Sequence, residues 1–183
     1  MEALTEAFLP NYRYNDYINW EGDWELIGGI AYAMSPAPTI EHQEINLNIS
    51  SQLKRLLKEC KNCKALPEVD WKIDEETVVR PDTLVVCNLN NNKAYLDKTP
   101  EIIFEVLSPS TKRKDRTLKS LLYSKSGVKY YILVEPAGNF AEVYKLENSK
   151  FYLEGEFKEQ SYNFELESCK IEFSFKEIFE DIK

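Results

Sequence analysis

The segment that most constrains the fold is EIIFEVL, residues 101–107. It is apolar at almost every position and carries two acidic side chains, Glu101 and Glu105. A strand with apolar side chains on both faces of a sheet has to be covered on both faces. The segment therefore predicts a central strand that lies between other layers. VKYYILVEP, residues 128–136, indicates a second buried strand.

The chain before this strand predicts a hairpin and a helix. WELIGGIAYAMS, residues 24–35, contains Gly28-Gly29, a pair that permits the positive φ of a tight hairpin turn. Thr39 is a favourable N-cap, and apolar residues recur at helical spacing from there to about Cys60. The predicted buried face of this helix consists of Ile45, Ile49, Leu53 and Leu56, with His42 one turn nearer the N-terminus.

The remaining elements follow from similar patterns. LPEVDWKI, residues 66–73, alternates as one half-buried strand, and VVRPD and TLVVC come after it. A helix is expected over 114–126, ended by Gly127 in a left-handed conformation. Its predicted buried side comprises Leu118, Leu121, Leu122 and Lys125. FAEVYKLE and FYLEGEF indicate a late pair of strands, and SFKEIFEDIK a short amphipathic helix.

This order of elements predicts the fold class. A hairpin, a helix, several strands, a second helix and further strands indicate an α/β or α+β domain with a mixed sheet flanked by helices. The chain has 183 residues and shows no internal repeat or linker, so we expect a single domain over 1–183.

Charge and hydropathy exclude some classes of protein. The 23 basic and 31 acidic residues give a net charge of −8, which argues against non-specific coating of nucleic acid but allows a local basic patch. The longest apolar runs have the length of strands, so we expect no membrane span. The N-terminal stretch lacks the features of a signal peptide, and we expect a cytoplasmic protein.

The four cysteines are Cys60, Cys63, Cys87 and Cys169. Cys60 and Cys63 form a C-x-x-C pair, but no second pair follows at the usual spacing of a zinc site. Reduced structural thiols are the favoured interpretation for a cytoplasmic protein. A zinc site that uses Cys60 and Cys63 stays a weaker alternative.

Two acidic residues stand beside segments that are expected to be buried. Asp82 directly precedes TLVVC, and Glu105 lies inside the central strand. A buried carboxylate is costly unless it has a partner, a proton or a metal ion. Mg²⁺ prefers oxygen ligands and uses one or two carboxylates together with water and substrate phosphate. If the two strands are neighbours, Asp82 and Glu105 are candidate ligands of such an ion.

A metal-dependent phosphodiesterase also benefits from a nearby cation that stabilises developing charge. The next helix supplies Lys119, which lies one turn after Asp115 and next to the predicted apolar face. The basic residues around it form a candidate patch for the phosphate backbone of a nucleic acid, namely Lys112, Arg113, Lys114 and Arg116.

Each of these features also has a purely structural interpretation. Asp82 follows Pro81 and suits a turn, and Glu105 suits an ion pair across the sheet. A basic run is commonly a solvated helix start. His42 is more often a structural histidine of a helix than a catalyst. No single residue decides between the interpretations.

Taken together, the motifs resemble the Uma-two restriction endonuclease family of the PD-(D/E)XK nuclease superfamily. They are R-P-D at 80–82, E-V-L-S-P-S-T at 105–111, D-R-x-x-K at 115–119 and G-V-x-x-Y at 127–131, preceded by W-E-L-I-G-G, M-S-P and E-H-Q at 41–43. The resemblance covers about residues 24–146. Leu107 stands where the superfamily usually has its lysine, Lys129-Tyr130 replaces a frequent Pro-Glu, and Glu135 replaces an Asp before Pro.

The resemblance implies a restriction-endonuclease-like fold, dependence on Mg²⁺ or Mn²⁺, DNA as substrate and a homodimer. It implies that Asp82, Glu105 and the backbone carbonyl of Val106 hold the metal, with the lysine moved to the helix as Lys119. Glu25 matches an additional acidic residue of the superfamily, and His42 a frequent histidine without an assigned role. A fold does not establish an activity, so a binding module that does not cut stays the second hypothesis.

Overall fold

The computed structural model describes residues 9–34, 38–90, 93–180 and 182. The helices in these ranges are α1 (Tyr14–Tyr17), α2 (Ile40–Leu56), α3 (Lys112–Lys114), α4 (Ser120–Lys125) and α5 (Phe175–Phe179). The strands are β1 (Trp24–Ile27), β2 (Ile30–Ala33), β3 (Cys63–Pro67), β4 (Trp71–Asp74), β5 (Thr77–Val79), β6 (Thr83–Cys87), β7 (Ile102–Val106), β8 (Tyr130–Glu135), β9 (Phe140–Glu147), β10 (Lys150–Phe157), β11 (Ser161–Glu165) and β12 (Lys170–Ser174).

The main sheet has six strands in the order β10-β9-β8-β7-β6-β3. β7 and β8 are parallel, and the other neighbours are antiparallel, so the sheet is mixed as predicted. Every residue of β7 is buried, which confirms EIIFEVL as a central strand. A second, four-stranded sheet has the order β2-β1-β5-β4, and β11 pairs with β12.

Successive residues of the central strands point into two separate apolar layers. Ile102 and Phe104 pack against α2 and the β11–β12 hairpin, with Ile49, Leu53 and Phe173. Ile103 packs in the opposite layer, whose large members are Trp71, Leu84, Tyr123 and Tyr131. This alternation explains why the strand is apolar at successive positions: both faces of the sheet are covered.

Several local predictions are confirmed. β1 and β2 form the predicted hairpin through Gly28 and Gly29, which both have positive φ, whereas Ser35 lies outside the described residues. Thr39 caps α2 by accepting a hydrogen bond from the His42 amide. Gly127, which follows α4, has φ +82, and the predicted C-terminal helix is present as α5. The end of the tail, Asp181 and Lys183, is outside the described part.

The strand predicted over 66–73 is wrong, because the structure divides it into two strands of different sheets. β3 ends at Pro67 in the main sheet, and β4 begins at Trp71 in the second sheet. Glu68 lies between them with φ 48, and its amide donates to the Asp82 carbonyl oxygen at 3.1 Å. A single left-handed residue changes the direction of the chain, and alternation of apolar residues does not reveal it.

The predicted buried side of the second helix is wrong for Leu121 and Lys125, whereas Leu118 and Leu122 are partly buried against the apolar layer that contains Tyr123. Residues 112–125 form α3, a π-helical turn over Asp115–Lys119, and α4. A π turn contains more residues than an α turn and therefore rotates the positions that follow. Lys119 and Tyr123 are buried, whereas Leu121 is 55% exposed and Lys125 is exposed. The side of this helix that faces the sheet thus carries the buried polar residues Asp115 and Lys119 beside Tyr123.

The prediction of reduced thiols is also wrong. Cys60 is bonded to Cys169, and Cys63 to Cys87. Cys63 and Cys87 are direct partners on β3 and β6, and Cys169 reaches Cys60 from the β11–β12 turn, 109 residues away in sequence. Rules based on cysteine spacing do not predict a pair that is so far apart in sequence.

None of the helices in the described ranges is long and apolar enough to cross a membrane.

Candidate functional site

Asp82 and Glu105 lie at neighbouring ends of adjacent strands. β6 pairs antiparallel with β7, with Thr83 opposite Phe104, so the residue before Thr83 is next to the residue after Phe104. Asp82 Oδ2 accepts a hydrogen bond from the Val106 amide at 2.7 Å. The adjacency that the sequence left open is therefore present, and Asp82 is tied to the strand that carries Glu105.

Glu105 is buried, with 3% of its surface exposed. Its Oε1 accepts hydrogen bonds from Lys119 Nζ at 3.0 Å and from the Tyr123 hydroxyl at 2.8 Å. Burial raises the pKa of Glu105 to about 8, although the Lys119 ammonium acts to lower it. Both hydrogen bonds reach the same oxygen, and Glu105 also lines an open cleft.

Lys119 lies at the centre of a group of buried carboxyl groups. Its Nζ is 2.9 Å from Glu25 Oε1, 3.0 Å from Glu105 Oε1 and 3.6 Å from Asp115 Oδ1. The π-helical turn directs both Asp115 and Lys119 to the buried side. Burial alone would lower the pKa of Lys119, but the surrounding carboxylates raise it well above its ordinary value. The ammonium therefore stays charged and holds the acidic groups together.

Glu25 reaches this group from β1 of the second sheet and is 1% exposed. It accepts hydrogen bonds from Lys114 Nζ at 2.6 Å and from the Arg80 amide at 3.1 Å. Burial alone would raise the pKa of Glu25, but the ammonium groups of Lys119 and Lys114 lower it overall. Glu25 thus links the second sheet to the 112–125 helix through two lysines, and Lys119 continues this link to Glu105 of the main sheet.

His42 packs against Asp82 from the first turn of α2. Its Nε2 is 3.3 Å from Asp82 Oδ2. Burial alone would lower the pKa of His42, but hydrogen bonding to Asp82 and to the Val106 backbone raises it. Its Nδ1 is buried and finds no hydrogen-bond partner among the residues that the structure describes. His42 therefore restrains the orientation of Asp82.

Most of the basic run is engaged with carboxylates. Lys112 contacts Glu135, and Lys114 contacts Glu25. Arg116 donates two hydrogen bonds to Glu142, at 2.6 and 3.0 Å. Arg113 is exposed, and the described part of the chain gives it no ion pair. The run is therefore less free for phosphate than its sequence indicates.

These residues surround a cleft of about 400 Å³, lined among others by Glu25, His42, Asp82, Glu105, Lys114 and Lys119. In the described ranges, no three His, Cys, Asp or Glu side chains are gathered so that they could hold a metal ion as they stand. Two carboxylates and the Val106 backbone at the cleft are nevertheless the hard oxygen donors that Mg²⁺ combines with water. The donor chemistry fits such an ion.

Sequence reasoning missed two residues of this site. Asp115 is 2% exposed, and its Oδ1 has no hydrogen bond within the described part, although it lies near Lys119. Tyr123 holds the Glu105 side chain in place by donating a hydrogen bond from its hydroxyl to Oε1. Both residues lie four positions from Lys119, a helical spacing that could have identified them. The apolar periodicity favoured the neighbouring leucines instead.

The fold and the site can be compared with known proteins. No curated protein matches the chain. A solved structure described as "a putative nuclease belonging to DUF820 from Anabaena variabilis ATCC 29413" is 19% identical, with a TM-score of 0.74, over 90% of this chain and 96% of that one. This likeness shows that the two chains share the same fold. The family model Uma2, described as "Putative restriction endonuclease", matches residues 12–176, and the chain therefore belongs to this family.

Proposed function

We propose that the protein is an endonuclease that hydrolyses phosphodiester bonds of DNA with Mg²⁺ or Mn²⁺. The observation that carries the proposal is the convergence of Asp82, Glu105 and Lys119 on one cleft, from adjacent strand ends and a π-helical turn. Membership of the Uma2 family supports the same reaction class.

Asp82, Glu105 and the Val106 carbonyl would hold the ion. A bound divalent ion would supply activation of the attacking water and neutralisation of charge on the phosphodiester group that is cleaved. Lys119 stabilises the negative charge that develops on the phosphate oxygens, since its ammonium is fixed beside Glu105. Tyr123 orients Glu105, and His42 orients Asp82. Glu25 and Asp115 position Lys119.

The partner would be DNA, and the exposed Arg113 is the basic side chain best placed to contact its backbone without breaking an ion pair. Lys112, Lys114 and Arg116 would have to exchange a carboxylate for a phosphate. On family grounds we also propose a homodimer, which would bring two clefts to one duplex. Light scattering of the purified chain with and without DNA measures the assembly.

A second candidate function is a nuclease-fold module that binds nucleic acid without cutting it. The net charge of −8 and the engagement of most of the basic run with carboxylates favour it. Binding in EDTA combined with no cleavage under any divalent metal ion would support this function against the first.

The deciding experiment is cleavage of plasmid and oligonucleotide DNA in Mg²⁺, Mn²⁺ and EDTA. We expect Asp82→Asn and Glu105→Gln to lose at least about 100-fold in rate, because each removes a ligand of the activating ion. Lys119→Ala should lose about as much through the missing charge stabilisation. Circular dichroism confirms that each variant is folded.

Two matched controls lie outside the cleft. Glu172→Gln changes an exposed glutamate of β12, and Lys125→Ala an exposed lysine of the same helix as Lys119. Both should cut like the native protein. Cleavage that persists in folded Asp82→Asn would overturn the assigned site, and absence of cutting together with absence of Mn²⁺ binding would overturn the metal nuclease.

A further inference from the structure

All of the chain's cysteines meet at one place, at the end of β6 opposite to the candidate cleft. Cys87 is the last residue of β6, and its register partner Cys63 is the first residue of β3. Their Cα atoms are 3.9 Å apart. Asp82 precedes the other end of β6, roughly 16 Å away at the usual rise of a strand. The cluster is therefore separate from the carboxylate site.

Cys60 and Cys63 lie in a tight turn that places both side chains on the same cluster. The Cys63 amide donates to the Cys60 carbonyl oxygen at 2.9 Å, and the Asn88 amide fixes the turn to the end of β6 through the Asn62 carbonyl oxygen at 2.6 Å. A C-x-x-C turn of this type commonly supplies two thiolates to one metal ion.

The fourth cysteine arrives on the β11–β12 turn. Cys169 lies 5.8 Å from Cys60 between Cα atoms, and its neighbour Ser168 brings Oγ to 3.4 Å from Cys63 Sγ. The two cysteine pairs are thus side by side. Three chain segments that are far apart in sequence thus bring four sulfur atoms close together. A single disulfide would need only two of them.

The surroundings suit a buried tetrathiolate. Cys60, Cys63 and Cys87 are between 1% and 6% exposed and belong to the core layer beneath α2. Zinc bound by four thiolates carries a net charge of −2, and nearby cations would offset it. Lys98 Nζ donates to the Cys87 carbonyl oxygen at 2.7 Å, and Lys61 and Lys170 adjoin ligand cysteines in the chain. The one carboxylate at Lys98 is Glu167, at 4.0 Å, among the described contacts.

We propose that the reduced protein binds one Zn²⁺ through Cys60, Cys63, Cys87 and Cys169, and that the two disulfides are the oxidised form of this site. Disulfide sulfurs are not thiolates and cannot act as ligands, so the ion binds after reduction. The zinc form therefore requires a reducing environment. Cys63 begins β3, an edge strand of the main sheet, so only one neighbouring strand restrains its backbone.

A phosphine can convert the oxidised form of the cysteine site to the reduced form, and a peroxide can reverse this conversion. A phosphine attacks each S–S bond, takes an oxygen atom from water and leaves two thiols, so that two phosphines become two phosphine oxides. The four thiols then release four protons to the buffer as four Zn–S bonds form. In the reverse direction a peroxide accepts the electrons, two peroxides giving two disulfides while the zinc ion is released.

The test is metal titration of the full chain after anaerobic reduction with a phosphine and removal of the reductant. We expect Co²⁺ to give the intense visible spectrum of a tetrahedral thiolate site, and Zn²⁺ to displace it at about one ion per chain. Zinc should also protect all of the cysteines from iodoacetamide, as read by mass spectrometry. The oxidised chain should bind no Co²⁺ in this way.

Variants separate this site from the cleft. Cys87→Ser/Cys169→Ser removes one member of each pair and should abolish the thiolate spectrum, whereas Asp82→Asn should retain it in full. If the double variant does not fold, protection of the native chain from alkylation decides. A reduced native chain whose Co²⁺ spectrum stays that of the hydrated ion, or whose cysteines react equally fast with and without zinc, would overturn the proposal.

Discussion

The two ends of β6 use opposite means to hold neighbouring elements together. At the end near Asp82, buried carboxylates and one buried ammonium join both sheets to the 112–125 helix. At the end near Cys87, covalent bonds join β6, β3 and the β11–β12 turn. Disulfides stabilise a fold mainly by restricting the unfolded chain, whereas the removal of one member of a buried charge group leaves the others without a partner. The two ends of β6 therefore depend on different kinds of link, ion pairs between buried groups at one end and disulfides at the other.

The cysteine end should show the largest effect on stability. Replacing Cys60 and Cys169 together by serine removes a link that spans 109 residues, and in the chain-entropy model this lowers the free energy of unfolding by about 4 to 5 kcal/mol. The measurement is urea unfolding of the oxidised protein in EDTA.

The matched variant is Cys63→Ser/Cys87→Ser, whose link spans 24 residues. It should cost about 3 to 4 kcal/mol, because the shorter loop restrains the unfolded chain less. Equal losses in the two double variants would contradict the entropic origin of the difference.

The carboxylate end should be nearly as sensitive to the loss of its cation. Lys119→Met keeps the length of the side chain but leaves Glu25, Glu105 and Asp115 without their shared partner. We expect the free energy of unfolding to fall by about 3 kcal/mol, as is usual when one member of a buried charge group is removed. Thermal unfolding in EDTA measures it.

Lys125→Met is the control for this change, since Lys125 lies exposed on the same helix. It should alter the free energy of unfolding by less than about 0.5 kcal/mol. A native-like stability of Lys119→Met would mean that the buried acids are protonated without difficulty and need no cation.

A smaller, pH-dependent effect is expected on β9, where Glu142 pairs with Arg116. Burial alone would raise the pKa of Glu142, but the Arg116 guanidinium and the Tyr144 hydroxyl lower it overall. A lowered folded pKa stabilises the protein above the unfolded pKa, and this contribution is lost as pH falls through the folded pKa. Glu142→Gln should therefore remove about 1 kcal/mol at neutral pH and flatten the stability curve below about pH 4.5.

Acid titration followed by circular dichroism compares this variant with Glu156→Gln, an exposed glutamate on β10. The Glu156 variant should lose stability at low pH in the same way as the native protein. If Glu142→Gln also shows the native loss of stability at low pH, the pair with Arg116 contributes nothing to the pH dependence.

The smallest effect concerns DNA contact. Arg113→Ala should weaken binding by less than about 1 kcal/mol and lower the slope of log affinity against log salt by about 1, as expected for one lost phosphate contact. Fluorescence anisotropy in EDTA across a salt series measures the slope. Lys150→Ala, on the edge strand β10, is the control. An unchanged slope for Arg113→Ala would place the DNA backbone elsewhere.

The sequence by itself determined the central strand, the first hairpin, the cap of α2 and the family. Each of these depends on contacts or patterns within a short stretch, such as the apolar run at 101–107 or the Gly28-Gly29 turn. The sequence made Asp82 and Glu105 candidates only on the condition that their strands are neighbours, and the register of β6 with β7 established that they are.

Only the tertiary structure decided the buried face of the 112–125 helix and the pairing of the cysteines. In the π-helical turn Lys119 is buried and pairs with Glu25 and Glu105, which belong to other elements, so apolar periodicity did not identify it as a buried residue. Cys169 meets Cys60 because a distant hairpin packs beneath α2. Both outcomes depend on groups that are far apart in the chain, and local spacing contains no information about such contacts.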